Sequence, residues 1–173
     1  MKFKSKINIP LVLRIVGFLL LMESFFMLTV LPVTYLHHGL YVFSMPFSAL
    51  ITLLTGVILI IATRQHKNEK TTSRDGVFVV CISWLVLSLF GAMPYLLSKS
   101  VPNFTDGFFE ALSGFTTTGA TILTRIETVP KDILLWRSMT QWIGGLAIIV
   151  FAVALIPFLS VGGMQLFMTE MTS

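Results

Sequence analysis

The sequence predicts an all-α membrane protein: two leading transmembrane helices, then one helix–loop–helix unit whose loop re-enters the membrane without crossing it. Three observations carry that prediction. The chain is 55% hydrophobic and only 12% charged, about half the charge of an ordinary soluble domain. Its apolar residues gather in four long runs, each reaching or exceeding the ~20 residues needed to cross the hydrocarbon core. Between the third and fourth runs lies one stretch, NFTDGFFEALSGFTTTGATILT at 103–124, that is too polar and too short to cross.

The first run covers Ile9 to Tyr35, behind the basic start MKFKSK. A secretory signal has an h-region of only about 7–15 residues and a small-residue cleavage site. This run is longer and ends LPVTYLHH, so it reads as an uncleaved transmembrane helix. Arg14 and Glu23 interrupt it; a carboxylate at membrane depth is a functional candidate by default, and the role of Glu23 stays undecided. His37-His38-Gly39 reads as a solvated turn, because adjacent residues do not face one another on a helix. The second run, Met45 to Thr63, carries no charge.

Residues 64–76 form a basic loop, with Arg64, Lys67, Lys70 and Arg74 against Glu69 and Asp75. Short basic loops stay cytoplasmic. The basic N-terminus falls on the same side, since two helices separate them. The third run, Val77 to Ser98, holds Pro94 near its end and places Tyr95 where an interfacial aromatic belt would lie. The fourth run is Ile133 to Val161, with Arg137 near its outer end. That parity predicts a multi-pass membrane protein with a cytoplasmic N-terminus and a cytoplasmic 162–173 end.

Composition also excludes classes. Lys and Arg outnumber Asp and Glu by 12 to 8, but the basic residues flank apolar runs, so their acidic partner is membrane lipid and not nucleic acid. The single cysteine, Cys81, sits inside an apolar run and supports neither a disulfide framework nor a metal cluster. There is no CxxC, no phosphate-binding glycine loop and no nucleophile elbow, so the chain reads as a non-enzyme.

The stretch at 103–124 carries the chemistry. Thr105 to Phe115 reads as a short helix that runs into Thr116-Thr117-Thr118-Gly119-Ala120-Thr121. Irregular backbone at membrane depth is tolerated only inside protein or along a wet cavity. Backbone carbonyls and Thr hydroxyls can replace the water shell of a potassium ion without holding it too tightly. Gly119 supplies positive φ at little steric cost, and the helix places the negative end of its dipole near Thr116. These points favour a pore loop of a potassium-channel-like pore, with Thr116, Thr117, Thr118, Gly119 and Ala120 as potassium ligands, over an ordinary polar turn between helices. Glu110 has two readings, a hydrogen-bonding support behind the loop or a snorkelling group near the interface. Ser113 is placed to buttress the loop. Asp106, Thr105 and Asn103 read as N-terminal capping. Gly144-Gly145 reads as close helix packing, with a gating hinge as the second choice.

These residues resemble the TrkH/TrkG/KtrB family of bacterial potassium uptake proteins, in its TrkH-like branch. The resemblance rests on Asp106 through Thr121, Val129-Pro130-Lys131, Leu134-Leu135-Trp136-Arg137-Ser138, Gln141-Trp142-Ile143-Gly144-Gly145, Ile156-Pro157, Val161-Gly162-Gly163-Met164-Gln165-Leu166 and Arg74-Asp75-Gly76. It implies a pore built from four helix–pore loop–helix repeats in one polypeptide. Residues 1–63 would be an additional helix pair, 64–76 the cytoplasmic loop, 77–161 the first repeat, and 162–173 an end that stops before further repeats. It also implies potassium as the transported ion, a cytoplasmic TrkA-type nucleotide-binding regulatory subunit, and a homodimer of the full-length protein. A truncated, non-conducting membrane anchor and a homotetrameric simple cation channel are the alternatives.

Overall fold

The computed structural model describes residues 8–37, 41–64 and 73–171, with side chains described at 8–37, 41–64 and 76–151. Six α-helices follow one another: α1 Ile9–Leu36, α2 Ser44–Ala62, α3 Ser73–Gly91, α4 Met93–Leu97, α5 Phe104–Phe115 and α6 Lys131–Met171. No strand occurs among the described residues. Among the described residues four segments are long and apolar enough to cross a membrane: Ile9–Leu36, Ser44–Ala62, Gly76–Leu97 and Lys131–Phe151. MKFKSK, His38-Gly39 and most of the basic loop lie outside the described residues.

The apolar runs become helices because a chain in hydrocarbon must satisfy its backbone internally. Small residues then decide how the helices meet. α1 and α2 cross where Gly17 and Gly56 face each other, so closely that an added Cβ at Gly56 would lie 2.9 Å from the Gly17 carbonyl oxygen. Close backbone approach through small residues is the usual contact between helices in lipid. Two turns further along, Ser24 Oγ donates to the Ala49 carbonyl at 2.8 Å.

The third span breaks at Ala92 and restarts as α4, with Pro94 in its first turn. A proline there forfeits no hydrogen bond that the first turn would have made. Tyr95 departs from the interfacial belt expected for it: it is fully buried, because α4 turns back against the other helices. α6 also runs past Val161, where the apolar run ends, and continues to Met171.

α5 is too short to cross, at about 18 Å for its 12 residues. Its N-terminus lies at the same end of the bundle as the C-terminus of α1 and the N-terminus of α6. A cavity there is lined by Thr34 and His37 of the α1 end, Ser44 of α2, Ser98 after α4, and Lys131 and Asp132 of α6. Thr34 Oγ1 donates to Asp132 Oδ2 at 3.1 Å and ties α1 to α6 at that end. At the level of the α5 C-terminus, Trp136 of α6 is fully buried, packs edge-on against Phe115 and donates from Nε1 to the Gly91 carbonyl at 3.0 Å.

Candidate functional site

α5 buries Gly107, Glu110, Ala111 and Gly114 along one face, joined at its end by Ser113 and Phe115. The spacing is the i, i+3, i+4, i+7 stripe of a helix packed on one side. Asn103 occupies the N-cap position without capping the backbone; its Nδ2 reaches Asp106 Oδ2 at 3.4 Å. The expected capping by Asn103 is therefore absent, and Asp106 contributes as an acidic group in the first turn.

Glycines let α6 seat directly on this helix. An added Cβ at Gly144 would collide with the carbonyl oxygen of Phe115, and one at Gly114 with Thr140 Oγ1. Gly144 is thus a close-packing residue at the foot of the loop.

The loop begins with a reversal of the helix end. Thr117 N–H donates to the Gly114 carbonyl at 2.9 Å, and Thr118 N–H to the Ser113 carbonyl at 3.0 Å. Thr117 itself is left-handed, with φ 57. This pair of bonds around a left-handed residue is the Schellman motif, with threonine where glycine is usual. Gly119 is left-handed as well, with φ 74, and its surroundings are open. Two left-handed residues flanking Thr118 turn the chain back along α5.

The oxygens divide into two sets. The Ala120 carbonyl faces the helix and accepts from Ser113 Oγ at 2.7 Å. The Gly119 carbonyl has a long contact, 3.5 Å, from Arg137 Nη2. Thr116 Oγ1 lies 2.8 Å from Thr118 Oγ1 and also donates to the Leu112 carbonyl at 2.8 Å. Among the described residues no donor meets the carbonyls of Thr116, Thr117 or Thr118. Thr117 through Ala120 are exposed in this chain.

Behind the loop stands a charged brace. Glu110 is 1% exposed. Its Oε1 accepts from Arg137 Nε at 2.6 Å. Thr121 Oγ1 lies 2.9 Å from both carboxylate oxygens, and Ile122 N–H donates to Oε2 at 3.1 Å. Glu110 therefore joins α5, the returning strand of the loop and α6, and it does not snorkel. Arg137 holds Glu110 and touches the Gly119 carbonyl, so one guanidinium connects α6 to the loop.

Sequence reasoning placed Glu110 and Ser113 beside the loop and left the part of Arg137 unassigned. Arg137 is far from Glu110 in sequence, so no helical spacing rule relates them. Thr117 as a left-handed residue was also missed, since β-branched residues disfavour that region. No group of three or more His, Cys, Asp or Glu residues suited to a metal occurs among the described residues.

A protein-family model described as "Cation transport protein", TrkH, matches residues 40–173. The chain is 39% identical over 164 residues to a Trk system potassium uptake protein TrkH of Halomonas elongata, covering 94% of this chain and 34% of that protein. It is 49% identical over 123 residues to the TrkH of Salmonella typhimurium, covering 70% of this chain and 25% of that protein. The crystal structure of the potassium transporter TrkH from Vibrio parahaemolyticus superposes with a TM-score of 0.81 at 38% identity, over 90% of this chain and 33% of that one. The chain thus spans about a third or less of the length of these relatives. With the matched region taking in the loop, its brace and α6, the chain belongs to the TrkH family of cation transport proteins.

Proposed function

We propose that this chain supplies the first of four pore loops of a potassium uptake protein, with Thr116, Thr117, Thr118, Gly119 and Ala120 forming one wall of its selectivity filter. The observation that carries the proposal is the run of unpartnered carbonyls at Thr116, Thr117 and Thr118. Buried or pore-lining carbonyls without donors are costly unless something polar meets them, and a dehydrated potassium ion is such a partner. The Ala120 carbonyl, turned toward Ser113, closes the wall. Gly119 provides the second turn of the backbone. The C-terminal end of α5 adds its negative partial charge beneath Thr116.

One loop surrounds only part of an ion, so the remaining oxygens come from further repeats of the full-length protein. In that protein the filter lies toward the outside, the N-terminus and basic loop lie in the cytoplasm of a bacterial inner-membrane protein, and ion flow answers to a TrkA-type nucleotide-binding subunit. The full-length protein forms a homodimer. The relatives' names, which describe Trk system potassium uptake proteins, support potassium as the cargo.

Rubidium uptake by the full-length protein at low external potassium tests the assignment. Gly119→Asp should abolish uptake or its selectivity, because it places a fixed charge at a left-handed position of the filter. Unchanged uptake and unchanged preference for potassium over sodium would remove Thr116 to Ala120 from the filter.

A further inference from the structure

Glu23 lies near the midpoint of α1 and is 2% exposed, yet neither carboxyl oxygen has a hydrogen-bond partner among the described residues. Ser83 Oγ on α3 is likewise buried and without a partner. Both residues line one cavity of about 350 Å³ between α1, α3 and α6, and the rest of its wall is apolar or aromatic, including Phe26, Trp84, Phe115 and Phe151.

Among the described residues no charge on the surrounding helices answers the carboxyl. α2 carries no ionisable residue, and α3 carries none besides Cys81 from Gly76 to Gly91. Arg14 of α1 sits over the Phe18 ring. On α5 and α6, Glu110 and Arg137 are committed to each other, and Asp132 is bonded to Thr34. Buried polar groups are normally satisfied, so two orphans in one cavity call for an occupant.

The chemistry of the wall selects that occupant. An uncompensated carboxyl and a hydroxyl want a cationic donor. Aromatic faces attract organic cations, and most strongly when water is excluded. The apolar remainder wants hydrocarbon. A volume of about 350 Å³ falls in the range of small-molecule pockets, roughly 300–1,000 Å³. A lipid headgroup does not qualify, because it sits about 15 Å from the bilayer midplane.

We propose that the Glu23–Ser83 cavity is a membrane-embedded binding site for a lipophilic organic ammonium, whose charged head pairs with Glu23 and whose hydrocarbon fills the aromatic-lined space. The occupant lies against Phe115, the last residue of α5 before the loop. Binding itself does not depend on the filter assignment.

The test uses full-length protein in detergent or nanodiscs and hexylammonium, whose N–H groups can donate to both orphaned side chains, as the probe, with heptane as its uncharged carbon isostere. Trp84 lines the cavity, so its emission reports occupancy, and Trp84→Phe should remove the signal. Saturable binding of the ammonium, much weaker binding of the isostere, and a loss of about tenfold or more in affinity on Glu23→Gln are expected. Ala147→Phe fills the cavity without replacing either polar group, and it should abolish binding even if Glu23→Gln folds poorly. Absence of a saturable change in the wild type would overturn the proposal and mean that another segment of the longer chain fills the space. Equal binding of the two probes, or unchanged affinity in Glu23→Gln, would overturn it too.

Discussion

Replacing Arg137 by Met while leaving Glu110 in place isolates the work of the brace. Glu110 is 1% exposed and accepts from Arg137 Nε at 2.6 Å. Removing one partner of a buried ion pair costs about 3–5 kcal/mol, because the other charge stays buried and uncompensated. The Arg137 side chain is 22% exposed, and the two donors from Thr121 and Ile122 remain, so the low end of that range applies. The expected loss for Arg137→Met is about 3 kcal/mol. Glu110→Gln should cost less, about 1–3 kcal/mol. Its amide oxygen can still accept from Ile122 N–H, and the guanidinium it abandons can reach water. The double variant should be less destabilised than the sum of the singles, since neither charge is left behind. The assay is thermal unfolding of the full-length protein in detergent, with potassium-over-sodium uptake measured on the same variants. Both single variants within about 0.5 kcal/mol of wild type, with unaltered selectivity, would refute the claim that this pair holds the loop.

Three further outcomes follow from the geometry. Thr117→Gly relieves a left-handed β-branched residue and should raise stability by about 1 kcal/mol; the missing hydroxyl should lower uptake, so stability and transport should move in opposite directions. Gly144→Ala drives a methyl group into the Phe115 carbonyl and should destabilise by about 1–3 kcal/mol, which thermal unfolding would show. Ser113→Ala removes the donor to the Ala120 carbonyl; it should cost about 1 kcal/mol and shift selectivity more than stability, read by competition between rubidium and sodium.

The spans were legible because hydrocarbon leaves a chain few choices. About 20 uncharged residues in a row, as at Met45 to Thr63, can only be a buried or membrane helix. The loop was legible because Thr-Thr-Thr-Gly is polar where its neighbours are not. What escaped was long-range. The Glu110–Arg137 pair joins helices separated by the whole loop, and sequence periodicity sees only neighbours on one element. Thr117 escaped because local propensity argues against its backbone state, and the helix-end bonds from Thr117 N–H to Gly114 and from Thr118 N–H to Ser113 hold it there. Tyr95 was misplaced because an aromatic near the end of an apolar run usually marks the interface. The break at Ala92 instead folds it inward.

If Thr116 to Ala120 form a filter wall, the carbonyls of Thr116, Thr117 and Thr118 face a cation. Anomalous diffraction from crystals of the full-length protein soaked in rubidium or thallium tests it most directly. An ion peak is expected within coordination distance of those carbonyls. Ion peaks found elsewhere in the pore, with none beside Thr116 to Gly119, would contradict it.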